Sequence, residues 1–292
     1  MKKLIALSLA LVLICVSIAA FAEDTSVVAE KAMAYFTNYD GSKVVIKPAD
    51  LFAKMDAGDD MLILDVRQAD AYEAGHLIGA VNVPLGMAVA EKLANIPDDV
   101  QVYVYCYTGQ TASQVTALLN VAGRYAANIQ SGFNNGISKT EGFEAYITTD
   151  VATLTDETYD VDPDVQAAIT AYFEDMISKA GTTFTYNNFK ADSLMEVLDA
   201  ELDGYFVYDV RQADAYAAGH IQGAVNNPYG AGMEQNFAAQ LPTDGIIIVH
   251  CYTGQTASQT VAILRLLGYD AYNLSGGMNN GWAAAEYPVV TD

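Results

Sequence analysis

The chain has 292 residues, of which 52% are hydrophobic, and a formal net charge of −22 from 36 acidic and 14 basic side chains. A field of that sign repels nucleic acid and anionic lipid, so neither is expected as a partner, and it slows the approach of anionic small molecules. Any anionic substrate must therefore be held by local donors, and the acidic surplus otherwise serves solubility.

Residues 1–22 carry Lys2 and Lys3, an apolar stretch from Leu4 to Phe21, and Ala20-Phe21-Ala22 ahead of Glu23. A basic start, an apolar middle and a small-residue cut site are the anatomy of a secretory signal peptide. Cleavage there leaves a chain starting near Glu23, with a charge of −24, exported to a periplasm or the extracellular space and free of the membrane. A leader retained as an anchor is the alternative. Ile14 before Cys15 argues against lipid attachment, which wants a small residue at that place. No other segment approaches the ~18 to 20 apolar residues that span a bilayer.

Two domains are expected after the leader, 23–149 and 165–292, each of ordinary size for a unit with its own core. The acidic stretch 150–164 between them has no helical period and reads as a linker. Residues 28–37 and 165–179 share Ala-Tyr-Phe and read as helices covering each unit. Strand-like runs follow at 61–66, 100–105 and 127–130, matched by 205–210, 246–250 and 271–274. Helix-like stretches alternate with them at 68–74, 88–95 and 111–122, matched by 212–218, 233–239 and 256–267. Short, nearly continuous apolar strands alternating with helices indicate α/β architecture around a mostly parallel sheet covered on both faces. Gly123 and Gly268 stand where the last of these helices should end in a left-handed cap.

The halves repeat. Residues 65–84 and 209–228 agree at 16 of 20 positions, and Cys-Tyr-Thr-Gly-Gln-Thr-Ala-Ser-Gln occurs unchanged at 106–114 and 251–259. A period of about 145 residues is a domain duplication rather than a solenoid, whose repeats run roughly 20 to 50 residues. Each cysteine lies between a strand-like and a helix-like run. There a helix N-terminus stabilises the thiolate, and Gly109 or Gly254 lets the backbone fold into a nest of N–H groups. Thr111 and Thr256 are placed to cap the helix and donate a hydroxyl inward. The two thiols, at equivalent places in separate units, read as nucleophiles rather than as a disulfide. An oxidising compartment then requires a reductant or sulfur acceptor to keep them cycling.

These residues resemble the rhodanese superfamily. The resemblance rests on the two Cys-Tyr-Thr-Gly-Gln-Thr loops, on the Asp-Val-Arg…Gly-His…Gly-Ala-Val-Asn…Pro blocks, and on Leu-Ser-Gly-Gly-Met-Asn-Asn-Gly-Trp at 274–282. It implies two rhodanese-like domains, each a central parallel sheet flanked by helices. It also implies that Cys106 and Cys251 accept a sulfane sulfur, from thiosulfate, polysulfide or a persulfide, and pass it to a thiol, cyanide or a protein acceptor. The substrate loops are then Tyr107, Thr108, Gly109, Gln110 and Thr111, and Tyr252, Thr253, Gly254, Gln255 and Thr256. Related phosphatases and arsenate reductases carry a loop one residue longer ending in Arg, which neither copy has. Both loops are uncharged, whereas some thiosulfate-using relatives place Arg or Lys there. The first copy has Ile-Gln-Ser-Gly at 129–132 where the second has the family's Gly-Gly, so Cys251 ranks ahead of Cys106.

Asp65 with Arg67, and Asp209 with Arg211, end strands at the carboxyl edge where α/β proteins build sites, and bracing of the loop is their expected part. His76 and His220, each after a glycine, read as structural. His250 precedes Cys251 in a strand, and alternate residues face opposite sides, so it is a poor base for that thiol. No metal site and no cofactor is called for, since three histidines and two cysteines never gather at ligand spacing. The expectation is an exported tandem sulfurtransferase. A non-catalytic persulfide carrier or sensor serving one partner protein is the alternative.

Overall fold

A computed structural model describes residues 25–291. The leader, including its cut site and Cys15, lies outside the described residues. Ten strands form two five-stranded sheets. The first contains β1 (Val45–Ile46), β2 (Met61–Asp65), β3 (Ala80–Asn82), β4 (Gln101–Tyr105) and β5 (Tyr125–Ile129); the second contains β6 (Asn188–Phe189), β7 (Tyr205–Asp209), β8 (Val225–Asn226), β9 (Ile246–His250) and β10 (Asp270–Leu274). The order is β1-β5-β4-β2-β3 in one and β6-β10-β9-β7-β8 in the other, and every pairing is parallel. The expected fold, two α/β units around parallel sheets, is what the chain adopts. A small antiparallel ribbon, His76–Leu77 against Ile147–Thr148, borders the first sheet.

The α-helices of six residues or more among the described residues are α1 (Thr25–Thr37), α2 (Pro48–Ala57), α3 (Ala69–Ala74), α4 (Met87–Lys92), α5 (Gln110–Val121), α6 (Pro163–Ser178), α7 (Ala191–Asp199), α8 (Ala213–Ala218) and α9 (Gln255–Leu266). Local chemistry sets their ends. Asp162 caps α6 by accepting the Asp164 amide at 3.0 Å, with Pro163 in the first turn, where its missing N–H costs nothing. At the far end of α5, Gly123 takes φ +83° and the Arg124 amide returns to the Leu119 carbonyl at 2.9 Å; Gly268 follows α9 at φ +89°.

The inner faces of both sheets share one apolar core. Val115 and Leu118 of α5, Val261 and Ile263 of α9, Phe36 of α1 and Phe173 of α6 belong to a single buried cluster. The outer faces have separate cores, around Leu51, Ile63 and Ile129 in the first half and Phe189, Leu194 and Trp282 in the second. Helices α5 and α9, which directly follow the two cysteine loops, pack against each other, so the halves meet there.

The covering helices each span both halves. Helix α1, which precedes the first unit, reaches the second: the Phe36 ring meets Tyr229 and Phe237 edge to face, and the Phe36 carbonyl accepts the Gly232 amide. The Thr37 hydroxyl donates to Glu234 at 2.8 Å. Helix α6, which precedes the second unit, lies on the first, where Gln166 donates to the Ala90 carbonyl of α4 at 3.0 Å and Tyr172 donates to Gln114 of α5. The 150–164 stretch runs along the first half. Ala152 bridges to Val81, the Tyr159 amide donates to the Ala94 carbonyl, and Arg124 donates to the Asp160 carbonyl.

Candidate active site

Each cysteine is the first residue beyond a central strand, Cys106 after β4 and Cys251 after β9, at the carboxyl edge of its sheet. Both are free thiols, 2% and 3% exposed. The chain turns through Gly109 (φ +87°) or Gly254 (φ +85°) into α5 or α9. The sulfur of Cys106 receives the Gly109 amide at 3.2 Å and the Ala112 amide at 3.4 Å, and that of Cys251 receives the Gly254 amide at 3.1 Å. The amides of the first helical turn have no intrahelical acceptor. Sulfur is therefore the acceptor at the start of the helix.

This corrects the expected role of Thr111 and Thr256. The helices begin one residue earlier than the pattern suggests, at Gln110 and Gln255, with Gly109 and Gly254 as N-caps and no side-chain cap. The threonines lie within the first turn, and at Cys106 the thiol, accepting the Ala112 amide, takes the position a capping oxygen would fill.

A second segment clamps each loop from behind. The Phe133 amide donates to the Cys106 carbonyl and the Asn134 amide to the Tyr107 carbonyl, both at 2.8 Å. Met278 and Asn279 do the same for Cys251 and Tyr252, also at 2.8 Å. Gly132 (φ +61°) and Gly277 (φ +59°) make the close approach possible. A methyl on Gly132 would sit 2.5 Å from the Gly109 nitrogen, and one on Gly277 would sit 2.6 Å from the Cys251 oxygen. Ser131, which stands where the second copy has Gly276, adopts the same left-handed conformation, φ +62° against +75°. The first clamp is built like the second despite that difference.

Asp65 and Arg67 pair with each other rather than facing the sulfur. The Arg67 guanidinium donates to the Asp65 carboxylate at 2.6 Å and to the Gly75 carbonyl at 2.8 Å, and lies 4.0 Å over the Phe133 ring. Asp209 and Arg211 repeat the pair at 2.6 Å, with Gly219 as the carbonyl. Both pairs are buried. His76 stacks on Tyr72 and bonds the Tyr72 carbonyl at 2.7 Å; His220 stacks on Tyr216 in the same way. His250 is fully buried 3.5 Å from Asp209, and burial lowers its pKa to about 4, so it is a neutral ring below the site. Tyr105 holds the equivalent place in the first half, accepting the Leu77 amide.

The sequence did not reveal how the loops relate to each other. Across the junction between the halves, Gln110 of the first loop accepts the Gly276 amide at 3.0 Å and the Asn273 amide group at 2.8 Å. Gln255 of the second loop accepts the Ser131 amide at 2.6 Å. Deeper in the contact, Gln114 meets Tyr172, Tyr186 and Asn187, while Gln259 meets Tyr229, Asn128 and the Val44 carbonyl. The identity of the nine-residue run thus extends into the junction between the halves. Beside it lies a cleft of about 290 Å³ with an uncharged lining, where Thr108 is matched by Thr253, Ser131 by Gly276 and Asn135 by Asn280.

Comparison with known proteins agrees with this geometry. The rhodanese-like domain family matches residues 47–147 and again 191–285. SseB of Mycobacterium tuberculosis, named as a candidate thiosulfate sulfurtransferase, is 28% identical over 289 residues, covering 85% of this chain and 96% of that protein. YrkF of Bacillus subtilis, named as a candidate sulfur carrier protein, is 31% identical over 90 residues; the match covers 30% of this chain and 48% of YrkF. GlpE of Pseudomonas entomophila, a thiosulfate sulfurtransferase by name, is 34% identical over 94 residues, covering 31% of this chain and 83% of GlpE. With the family matched in both halves, around two copies of one cysteine loop on one sheet topology, the chain belongs to the rhodanese family.

Proposed function

We propose that the protein is a rhodanese-type sulfurtransferase that carries sulfane sulfur as a persulfide on Cys106 and Cys251. The observation that carries the reading is the pair of sulfurs held against the N-cap amides of α5 and α9, with the first-turn Ala112 amide added at Cys106. An anion at that place is stabilised by the helix terminus and the nest of N–H groups, and a persulfide is such an anion. In the first half-reaction the thiolate attacks the outer sulfur of the donor, a Cys–S–S⁻ anion forms and the donor's leaving group departs with the electron pair of the broken bond. In the second, an acceptor thiolate or cyanide attacks the terminal sulfur and the cysteine thiolate is regenerated. No net oxidation occurs over the cycle.

The uncharged loops favour a polysulfide or persulfide donor over thiosulfate. Tyr107, Thr108 and Gln110, with Tyr252, Thr253 and Gln255, supply hydrogen bonds but no cation to hold a dianion within an acidic chain. The same feature supports the second reading, a carrier that surrenders its sulfur only to a dedicated partner protein. The basic and apolar leader with Ala20-Phe21-Ala22 supports work outside the cytoplasm, and N-terminal sequencing of the mature protein tests that. For the chemistry, the test is the full mature chain carrying Cys106→Ser, Cys251→Ser or both, assayed with polysulfide and with thiosulfate against cyanide and a dithiol. Loss of transfer only in the double variant assigns both cysteines, and transfer surviving in it refutes the covalent route. A wild-type protein that gains one sulfur on each cysteine by mass yet does not turn over is the carrier.

A further inference from the structure

We propose that Gln110 and Gln255 are positioning residues that act across the junction, each setting the sulfur loop of the opposite half rather than its own. The chain of contacts is continuous in both directions. Gln255 belongs to the Cys251 loop, yet its carbonyl oxygen holds the Ser131 amide at 2.6 Å. That residue begins the clamp in which Gly132 lies against the Cys106 loop and the Phe133 and Asn134 amides donate to the Cys106 and Tyr107 carbonyls at 2.8 Å. Gln110, in the Cys106 loop, holds the Gly276 amide at 3.0 Å; Gly277 follows against the Cys251 loop, and the Met278 and Asn279 amides donate to the Cys251 and Tyr252 carbonyls.

Three features make the bond a constraint on position. Ser131 and Gly276 are both left-handed, and an amide there that loses its acceptor has no helix or strand neighbour to replace it. Second, each glutamine oxygen sits tight on the opposite turn: a methyl on Gly109 would lie 2.8 Å from the Gln255 oxygen, and one on Gly254 would lie 2.5 Å from the Gln110 oxygen. Gly109 and Gly254 are the residues whose amides meet the sulfurs. Third, Gln255 is buried, so its oxygen has little access to replacement by water. The inference rests on the persulfide reading only for its consequence in sulfur transfer, because the geometry concerns the free thiols.

The test uses the full chain in two single-cysteine forms. With Cys106→Ser, adding Gln110→Ala is expected to speed hydrogen exchange of the 276–279 amides and to slow iodoacetamide alkylation of Cys251 at neutral pH by about threefold or more, as one hydrogen bond is lost. With Cys251→Ser, Gln255→Ala is expected to do the same to the 131–134 amides and to Cys106. This reciprocal pair keeps the test decisive if one variant fails to fold. Gln114→Ala removes a buried contact of the same junction without touching either clamp, and is expected to leave Cys251 at the parent rate. A smaller change in the glutamine variants, or an equal change in Gln114→Ala, overturns the proposal. Sulfur transfer is not read, so failure here is distinguishable from failure of the persulfide route.

Discussion

Replacing Gly277 by alanine tests whether the clamp shapes the sulfur loop. The added methyl would lie 2.6 Å from the Cys251 oxygen, 2.7 Å from the Gly254 nitrogen and 2.9 Å from the Thr253 nitrogen. All three are backbone atoms of the sulfur loop, so no side chain can rotate away. The left-handed φ of +59° adds roughly 1–2 kcal/mol for any residue with a Cβ, and the overlap adds about 1–3 kcal/mol. A total loss of about 2–5 kcal/mol corresponds to a melting point lower by roughly 3–8 °C in a chain of this size. Gly268→Ala is the control, because Gly268 has φ +89° and nothing within 4 Å of the added methyl. It should show the conformational cost alone, about 1–2 kcal/mol. Thermal unfolding followed by circular dichroism, with alkylation of Cys251 measured on the folded proteins, separates the two. Equal losses of stability, or a Cys251 that reacts alike in both, would refute the clamp.

Three further outcomes follow from buried groups. His250 is held neutral by burial, with a folded pKa of about 4 against an ordinary value of 6.5, so it contributes stability above pH 6.5 that is lost as pH falls through 4. The contribution is about 3 kcal/mol, and denaturant unfolding of His250→Phe against wild type from pH 7 to pH 4 should show a shallower decline in the variant. Asp209→Asn leaves the buried Arg211 guanidinium without its countercharge, and urea unfolding should register a loss of about 3–5 kcal/mol. Phe36→Ala empties a fully buried site that packs on Tyr229 and Phe237 of the second half, and should cost about 3–5 kcal/mol in the same assay.

Much of the architecture was legible because the central strands are continuous apolar runs. Residues 61–66, 100–105, 205–210 and 246–250 were expected as strands, and the chain forms β2, β4, β7 and β9 there. The edge strands β1, β6 and β8 are two residues long, too short to show a period, and α2 and α7 were not anticipated. The cysteine loops announced themselves by identity. Their backing did not, since the Gly277 contact depends on three backbone atoms more than twenty residues away in sequence. The threonine caps were misread because a sulfur can fill the acceptor's place, which no capping pattern encodes. The glutamine contacts join residues more than 120 positions apart, and within a run read as chemistry there is nothing to mark Gln110 or Gln259 as a junction residue.

The crossed helices bear on what can be separated. α1 packs on α5 of its own half and reaches over α9 to Glu234 of the second, and α6 lies on α4 of the first half while also packing on α9 of its own. Cleavage of the peptide chain within 150–164 would therefore yield two pieces that remain clasped, each retaining an arm laid over the other. In that sense the molecule is a dimer written as one polypeptide.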